Sequence, residues 1–311
     1  MTATAESTTL RPSMRPAWLA RQPLAPWLYL APAVILLVIW VYAPLGYAFW
    51  LSFHEWNMLP TAPRRYVGTL NYERLIGLPD MAKALWNTGI YLIGLLPLTV
   101  IVPVAAAILT QGLSGPWRNL YRALIFVPLI IAPIAAAAVW RWMLNPDFGI
   151  VNMALRGLGF PAVDFLKDPD VAIWTIIWIT GWKLIGFSTL IVSACLSNIN
   201  PALIEAARMD GGTEWQITCR IRLPLLSPTI FLLVLLTILL GAQWSFAYIH
   251  VLTQGGPLGS TTNIYYLLWQ FGFGSLAAGW ASAAGMLLFA GFGAVAIALI
   301  WLMNRASFHD D

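Results

Sequence analysis

Four stretches of this chain contain no Asp, Glu, Lys or Arg: residues 22–53, 84–117, 123–140 and 223–304. A helix that crosses a bilayer needs roughly 20 mostly apolar residues. The last stretch is long enough for two crossings, and the sequence QGGPLGSTTN at 254–263 divides it. Such a segment neither stays helical nor sits in lipid, where its backbone groups would lack partners. The pattern predicts six spans, at about 25–52, 85–112, 120–144, 171–196, 225–250 and 276–303. The fold class expected is therefore an all-α membrane protein of six transmembrane helices.

Composition agrees. Of 311 residues, 59% are hydrophobic and only 10% charged, with mean hydropathy +0.75; a soluble domain carries about a quarter charged residues. The first apolar run is too long, and too far from any Ala-x-Ala site, for a cleaved leader. The segment 1–23 is polar, with three Pro and three Arg, and reads as a disordered tail. The expected organisation is this tail, a membrane domain at 24–305, and a short tail at 306–311.

The net charge of +4 does not point to nucleic acid, because the basic residues are spread over many loop ends. With the N-terminus inside, nine Lys and Arg fall on the inner side and seven on the outer, a small bias in the expected sense. Cys195 and Cys219 then both lie at the inner side, where a disulfide is not expected.

No catalytic or cofactor apparatus is visible. None of Lys83, Lys167 and Lys183 follows a Gly, so no phosphate loop of the form G-x-x-x-x-G-K-[ST] exists. His54, His250 and His309 are isolated, so no metal is expected.

Between the fourth and fifth spans lies a charged, helix-forming stretch. Asn200 is placed to cap a helix, with Pro201 at its first position. Gly211-Gly212 breaks that helix, Thr213 and Gln216 have the spacing of a capping box that starts another, and Pro224 is expected to end the segment. This loop, 197–224, resembles the "EAA" loop of permease subunits of bacterial ABC importers. The match rests on Glu205, Ala206, Ala207, Gly211, Leu223 and Pro224, with Asp210 beside the glycine. Gly212 stands where Ala is usual and Thr218 where an aromatic is usual. Residues 140–152 (WRWMLNPDFGIVN) and 252–262 (LTQGGPLGSTT) look like the outer connections after the third and fifth helices of carbohydrate-importer permeases. The resemblance covers about residues 25–305 and is nearest to the maltose-, disaccharide- and glycerol-phosphate-type importers.

The resemblance implies a subunit that forms half of a translocation pathway for a sugar or oligosaccharide. It implies a second homologous permease, two ATPase subunits that bind ATP and Mg, and an extracytoplasmic solute-binding protein. It also implies a bacterial inner-membrane location with both termini cytoplasmic, and a helix around Glu205 docked on an ATPase. The alternative solute class is glycerol-3-phosphate or a glycerophosphodiester. An ion-coupled secondary transporter would be expected to carry intramembrane carboxylates, and no Asp or Glu lies in any predicted span.

Four residues are candidates for the pathway. Lys183 lies midway along the fourth span, where a charge must face a cavity or a partner. It serves either as a cation donating to solute oxygens or as a donor to backbone carbonyls or a neighbouring subunit. Gln243, Trp244 and Tyr248 offer the amide and aromatic faces that sugar recognition uses, although Trp and Tyr also anchor at interfaces. Arg141 is expected to snorkel to the headgroups. Gly279, Ala283, Ala290, Ala294 and Ala298 read as a packing stripe.

Overall fold

Helices form where the sequence is apolar because a backbone out of water must satisfy its own N–H and C=O groups. The computed structural model describes residues 25–111 and 115–306 and contains two units, one ending at Trp50 and the other starting at Leu51. The expected tail at 1–23 and residues 307–311 lie outside the described residues. The first unit holds α1 (Ala25–Leu37), a π-helical turn (Val38–Tyr42) and α2 (Ala43–Leu51).

The second unit opens on a two-residue antiparallel ribbon, β1 (His54–Glu55) with β2 (Arg65–Tyr66). There follow α3 (Leu70–Ile76), α4 (Pro79–Leu96), a π-turn (Pro97–Ile101) and α5 (Val102–Leu109). Next come α6 (Gly115–Ile130), α7 (Pro133–Met143), α8 (Ile150–Gly157) and the long α9 (Ala172–Ser197). The charged loop forms α10 (Pro201–Met209), α11 (Glu214–Ile217), a π-turn (Thr218–Arg222) and α12 (Leu223–Leu225). The chain ends in α13 (Ser227–Tyr248), a π-turn (Ile249–Thr253), α14 (Ile264–Trp269), a π-turn (Gln270–Gly274) and α15 (Ala278–Ala306).

Five helical runs are long and apolar enough to cross a membrane: Trp27–Leu51, Pro79–Leu109, Ala172–Ser197, Ser227–Thr253 and Ala278–Met303. They match five of the expected spans. The expected third span, 120–144, is not one helix: its two halves meet at 105°. Pro133 accounts for the break. A residue before proline is pushed out of the helical region, and Ala132 has ψ 134°.

Three π-turns end two residues before a proline: Val38–Tyr42 before Pro44, Pro97–Ile101 before Pro103, and Thr218–Arg222 before Pro224. A proline ring inside a helix collides with the carbonyl four residues back. Those carbonyls belong to Trp40, Thr99 and Arg220, each at the middle of a wider turn. Pro224 therefore does not end the charged segment as expected. It sits in a helical run from Glu214 to Thr253, interrupted only at Leu226.

Glycines bring α9 against its neighbours. A Cβ on Gly186 would lie 2.1 Å from the Ile125 carbonyl of α6, and one on Gly181 would lie 2.3 Å from the Leu98 side chain. The core beside α9 joins Tyr91 and Leu95 of α4, Ile173 and Ile176 of α9, and Tyr248 of α13. In α15 the small residues divide. Gly279 would place a Cβ 2.0 Å from the His54 carbonyl, and Ala283 is fully buried. Ala290, Ala294 and Ala298 are exposed, so the expected packing stripe operates within the described fold only over its first turns. The helix α14, which periodicity did not predict, buries Ile264 and Leu267, and the π-turn after it buries Phe271, against Leu75, Met81 and Ala84.

Candidate functional site: a charged turn and a membrane-depth cavity

The turn around Glu205 forms as its sequence dictates. The Asn200 side chain accepts from the Ala202 N–H at 3.0 Å, and Pro201 occupies the first helical position of α10. The other end closes as a Schellman motif: the Gly212 N–H donates to the Ala207 carbonyl at 2.9 Å and the Gly211 N–H to the Arg208 carbonyl at 3.0 Å. Gly211 has φ +79°, the left-handed region in which a side chain is strained. A Cβ at Gly212 would lie 2.8 Å from the Ala207 oxygen, so this chain's departure from Ala at that position fits the tightness of its own turn. Both halves of the capping box between Thr213 and Gln216 are formed.

Glu205, Ala206, Asp210 and Gly211 are all exposed on this turn, and Ala207 is half-buried. Leu203, Met209 and Trp215 beside them are exposed apolar side chains, Met209 at 88%. Leu223 and Pro224 do not join this surface. Leu223 packs with Val104, Leu196 and Leu226 at the base of α13.

An ion network, unrecognised in the sequence, ties the turn together. Glu214 accepts from Arg208 Nε at 2.7 Å on one oxygen and from Arg222 Nη2 at 3.2 Å on the other. Arg222 is buried and also donates to Thr218 Oγ1 at 3.0 Å. The hydrogen bond from Arg208 holds the Glu214 carboxyl below the usual carboxylate range, and Glu214 in turn raises Arg208. Five charges within the fifteen residues 208–222 of an otherwise charge-poor chain were the available signal.

The second region lies between α9, α13 and the α6–α7 break. A cavity of about 460 Å³ is lined by Pro133, Thr180, Lys183, Gln243, Trp244 and Tyr248, among others. All four pathway candidates named from sequence thus meet at one place. The Lys183 ammonium is already engaged. It donates to the carbonyls of Pro128 at 3.4 Å, Leu129 at 3.2 Å, and Ile131. Carbonyls in the last turn of a helix lack intrahelical partners, and the break at Pro133 leaves these at membrane depth. An ammonium has three donors, so Lys183 caps α6 with all of them. It is also the one charged residue lining the cavity among the described residues.

The free hydrogen-bonding capacity of the cavity lies elsewhere. Thr180 and Tyr248 are buried, and neither hydroxyl has a partner within the described residues. Gln243 is exposed, and Trp244 stands edge-on to Phe187 with ring centroids 6.3 Å apart. The sequence did not single out Thr180, because a lone threonine in an apolar helix ordinarily bonds the carbonyl one turn back.

At the end of α13 away from α10, one face of α4 holds the loop before α14. Lys83 donates to the Leu258 carbonyl at 2.5 Å, Asn87 to those of Gly259 and Thr262 at 3.0 and 2.8 Å, and Tyr91 to that of Thr261 at 3.1 Å. These residues recur every four positions, so they share a helix face. Gln254 and Leu258 in the loop have positive φ, 53° and 50°. Arg141, expected to reach the headgroups, instead donates to the Val251 carbonyl. That carbonyl belongs to the π-turn that ends the fifth span.

Comparison with known proteins places this architecture. Residues 85–307 match the family described as binding-protein-dependent transport system inner membrane component. The chain is 32% identical over 257 residues to the trehalose/maltose transport system permease protein MalF of Thermococcus litoralis, covering 80% of this chain and 85% of that protein. It is 27% identical to the sn-glycerol-3-phosphate transport system permease protein UgpA of Pectobacterium atrosepticum, covering 90% and 92%. A solved bacterial ABC transporter involved in the import of the acidic polysaccharide alginate contains a chain of the same fold. Its TM-score is 0.80 at 24% identity, over 94% of this chain and 97% of that one. The membrane helices, the turn at Glu205 and these relatives lead to one conclusion: the chain belongs to the binding-protein-dependent transport system inner membrane component family and is an integral membrane permease subunit of an ABC importer.

Proposed function

We propose that this subunit forms half of a translocation pathway for a neutral sugar or oligosaccharide, with a second homologous permease as the other half. Of two ATPase subunits, which bind ATP and Mg, one docks at the turn bearing Glu205, Ala206, Ala207, Asp210 and Gly211. An extracytoplasmic solute-binding protein delivers the solute at the opposite face. Both termini are cytoplasmic in this arrangement, and the chain itself carries no catalytic group or cofactor.

The observation that carries the choice of solute is the engagement of Lys183. A glycerol-phosphate importer needs a cation free to meet a phosphate, and the one cationic group lining the cavity among the described residues is already bonded to three carbonyls. What the cavity offers is an amide at Gln243, hydroxyls at Thr180 and Tyr248, and the indole of Trp244. Hydroxyl-bearing solutes are matched by such groups, with the indole stacking on the C–H face of a sugar ring. A second structure of a bacterial alginate ABC transporter, in complex with an alginate pentasaccharide-bound periplasmic protein, supports delivery by a binding protein. The names of the relatives support both solute classes, and the cavity chemistry favours the sugar.

The test is uptake in vesicles holding the complete complex with its binding protein, supplied in turn with maltose, trehalose and glycerol-3-phosphate. ATP-dependent uptake of a sugar, reduced at least tenfold in Gln243→Leu at normal assembly, is expected. Uptake of glycerol-3-phosphate alone would overturn the choice of solute and leave the family assignment standing.

A further inference from the structure

The coupling turn and the fifth span are joined by more than chain connectivity. Arg208 sits on α10, Glu214 at the first position of α11, and Arg222 at the end of the π-turn leading into α12 and α13. The Glu214 carboxylate uses one oxygen for each arginine, at 2.7 and 3.2 Å. The two arms differ in environment. The Arg208 side chain is 52% exposed, whereas that of Arg222 is only 10% exposed. An exposed ion pair by itself contributes little. A buried arginine that loses its only carboxylate partner is left as an uncompensated charge, a far larger effect. The network is therefore anchored from the buried side, and Glu214 hands that anchorage to the exposed helix.

We propose that Glu214 is a positioning residue for transport, a charged pin that makes α10 move as one body with the base of the fifth span. This rests on the reading that α10 docks on an ATPase. Between Arg208 and Glu214 lie only the glycine turn and the capping-box residue, and Gly211 has the backbone freedom of a hinge. Without the pin, displacement of α10 would be absorbed by rotation at Gly211-Gly212. With it, the displacement reaches Arg222, which also bonds Thr218 inside the π-turn. That turn ends two residues before Pro224, which has no N–H to donate into the helical ladder, so one rung is missing there. The side-chain network supplies the missing connection at the place where the backbone ladder is weakest.

Two measurements on the full chain test this. In a background with Cys195→Ser and Cys219→Ser, a spin label at Met209→Cys reports the mobility of α10 in the detergent-solubilised subunit. In the reconstituted complex, the ratio of solute taken up to ATP hydrolysed reports coupling. Glu214→Gln should increase label mobility and lower the ratio about fivefold or more, the lower range of typical inter-site coupling. Arg208→Lys, which keeps the charge, should retain most of it. Unchanged mobility in Glu214→Gln would overturn the pin, and greater mobility with an unchanged uptake ratio would overturn its role in coupling. Where Glu214→Gln fails to assemble, the pair Glu214→Gln with Arg222→Met removes the buried charge along with its partner, and a normal ratio there overturns the proposal. Absence of ATP-dependent uptake in the unsubstituted complex would count against the importer reading, while the mobility measurement still decides whether the pin exists.

Discussion

Replacing Lys183 by Met should cost the subunit folding stability and not solute affinity alone. The ammonium holds three carbonyls at the α6–α7 break, and at 3.4 Å the bond to Pro128 is the weakest by length. A hydrogen bond to a charged group contributes about 1.5–3 kcal/mol, so the two shorter bonds give about 3–6 kcal/mol gross. Relief of the half-buried ammonium's own desolvation offsets part of this, leaving a net loss of about 2–4 kcal/mol. Equilibrium unfolding of the purified subunit in mixed micelles reads this directly, and Lys183→Arg, with more donors, should recover at least half. The amount of assembled complex should fall together with uptake. A Lys183→Met subunit that unfolds within about 0.5 kcal/mol of the parent, assembles normally and yet fails to transport would refute the capping argument. Such a result would put the ammonium in contact with solute.

Further outcomes follow from the same geometry. Gly211→Val, forcing a β-branched residue into φ +79°, should cost about 1–2 kcal/mol locally and uncouple transport while the chain still inserts, read as uptake against ATP hydrolysis in membranes. Gly279→Ala should sharply lower the amount of folded subunit, because its Cβ would lie 2.0 Å from the His54 carbonyl, and immunoblots of membrane fractions check this. The folded-state pKa of Glu214 is depressed, chiefly by the hydrogen bond from Arg208, so the pin's contribution is present above the ordinary carboxylate pKa and lost only as pH falls through the lowered value. Spin-label mobility at residue 209 should then be flat from about pH 5 to pH 8 and rise only in stronger acid. Cysteines at Ala154 and Leu258 should react with an impermeant thiol reagent outside intact cells while Cys219 does not, and the reverse pattern would invert the orientation.

How much of this was legible in the sequence depends on whether a feature is local. The docking turn was readable almost atom by atom, because Asn200, Pro201, Gly211, Thr213 and Gln216 act on backbone groups one to four residues away. Five spans were readable because length and apolarity alone define them. The break at Pro133 was not, since a proline inside an apolar run either kinks a helix or ends it, and the choice depends on what receives the freed carbonyls. Lys183, fifty residues further on, receives them, and that pairing leaves no trace in local periodicity. The same holds for Lys83, Asn87 and Tyr91, whose partners in the loop lie 170 or more residues away. The helix α14 was hidden for another reason: it is too short to display a period and follows a stretch dense in turn residues.

The position of Lys183 also constrains how this subunit can work. The α9 segment from Lys183 to Ser197 is continuous helix, about 21 Å long at 1.5 Å per residue, and α10 follows within four residues. On the other side, the run from Pro224 to Gln243 is about 29 Å. Both walls of the cavity are thus the far arms of helices whose near ends converge on the docking turn. A shift of α10 need not be conveyed by a chain of side-chain rearrangements, because rigid helices convey it. What must be prevented is slippage at three points: the glycine turn, the proline-interrupted base of α13, and the break between α6 and α7. Each of these points carries an ionic or charge-assisted hydrogen bond in a chain with few charges: Arg208–Glu214 at the first, Glu214–Arg222 at the second, and Lys183 with its carbonyls at the third. Four of this protein's scarce charges, Lys183, Arg208, Glu214 and Arg222, therefore sit at these three points, so the cavity can be opened by moving helices whose weak joints have been reinforced.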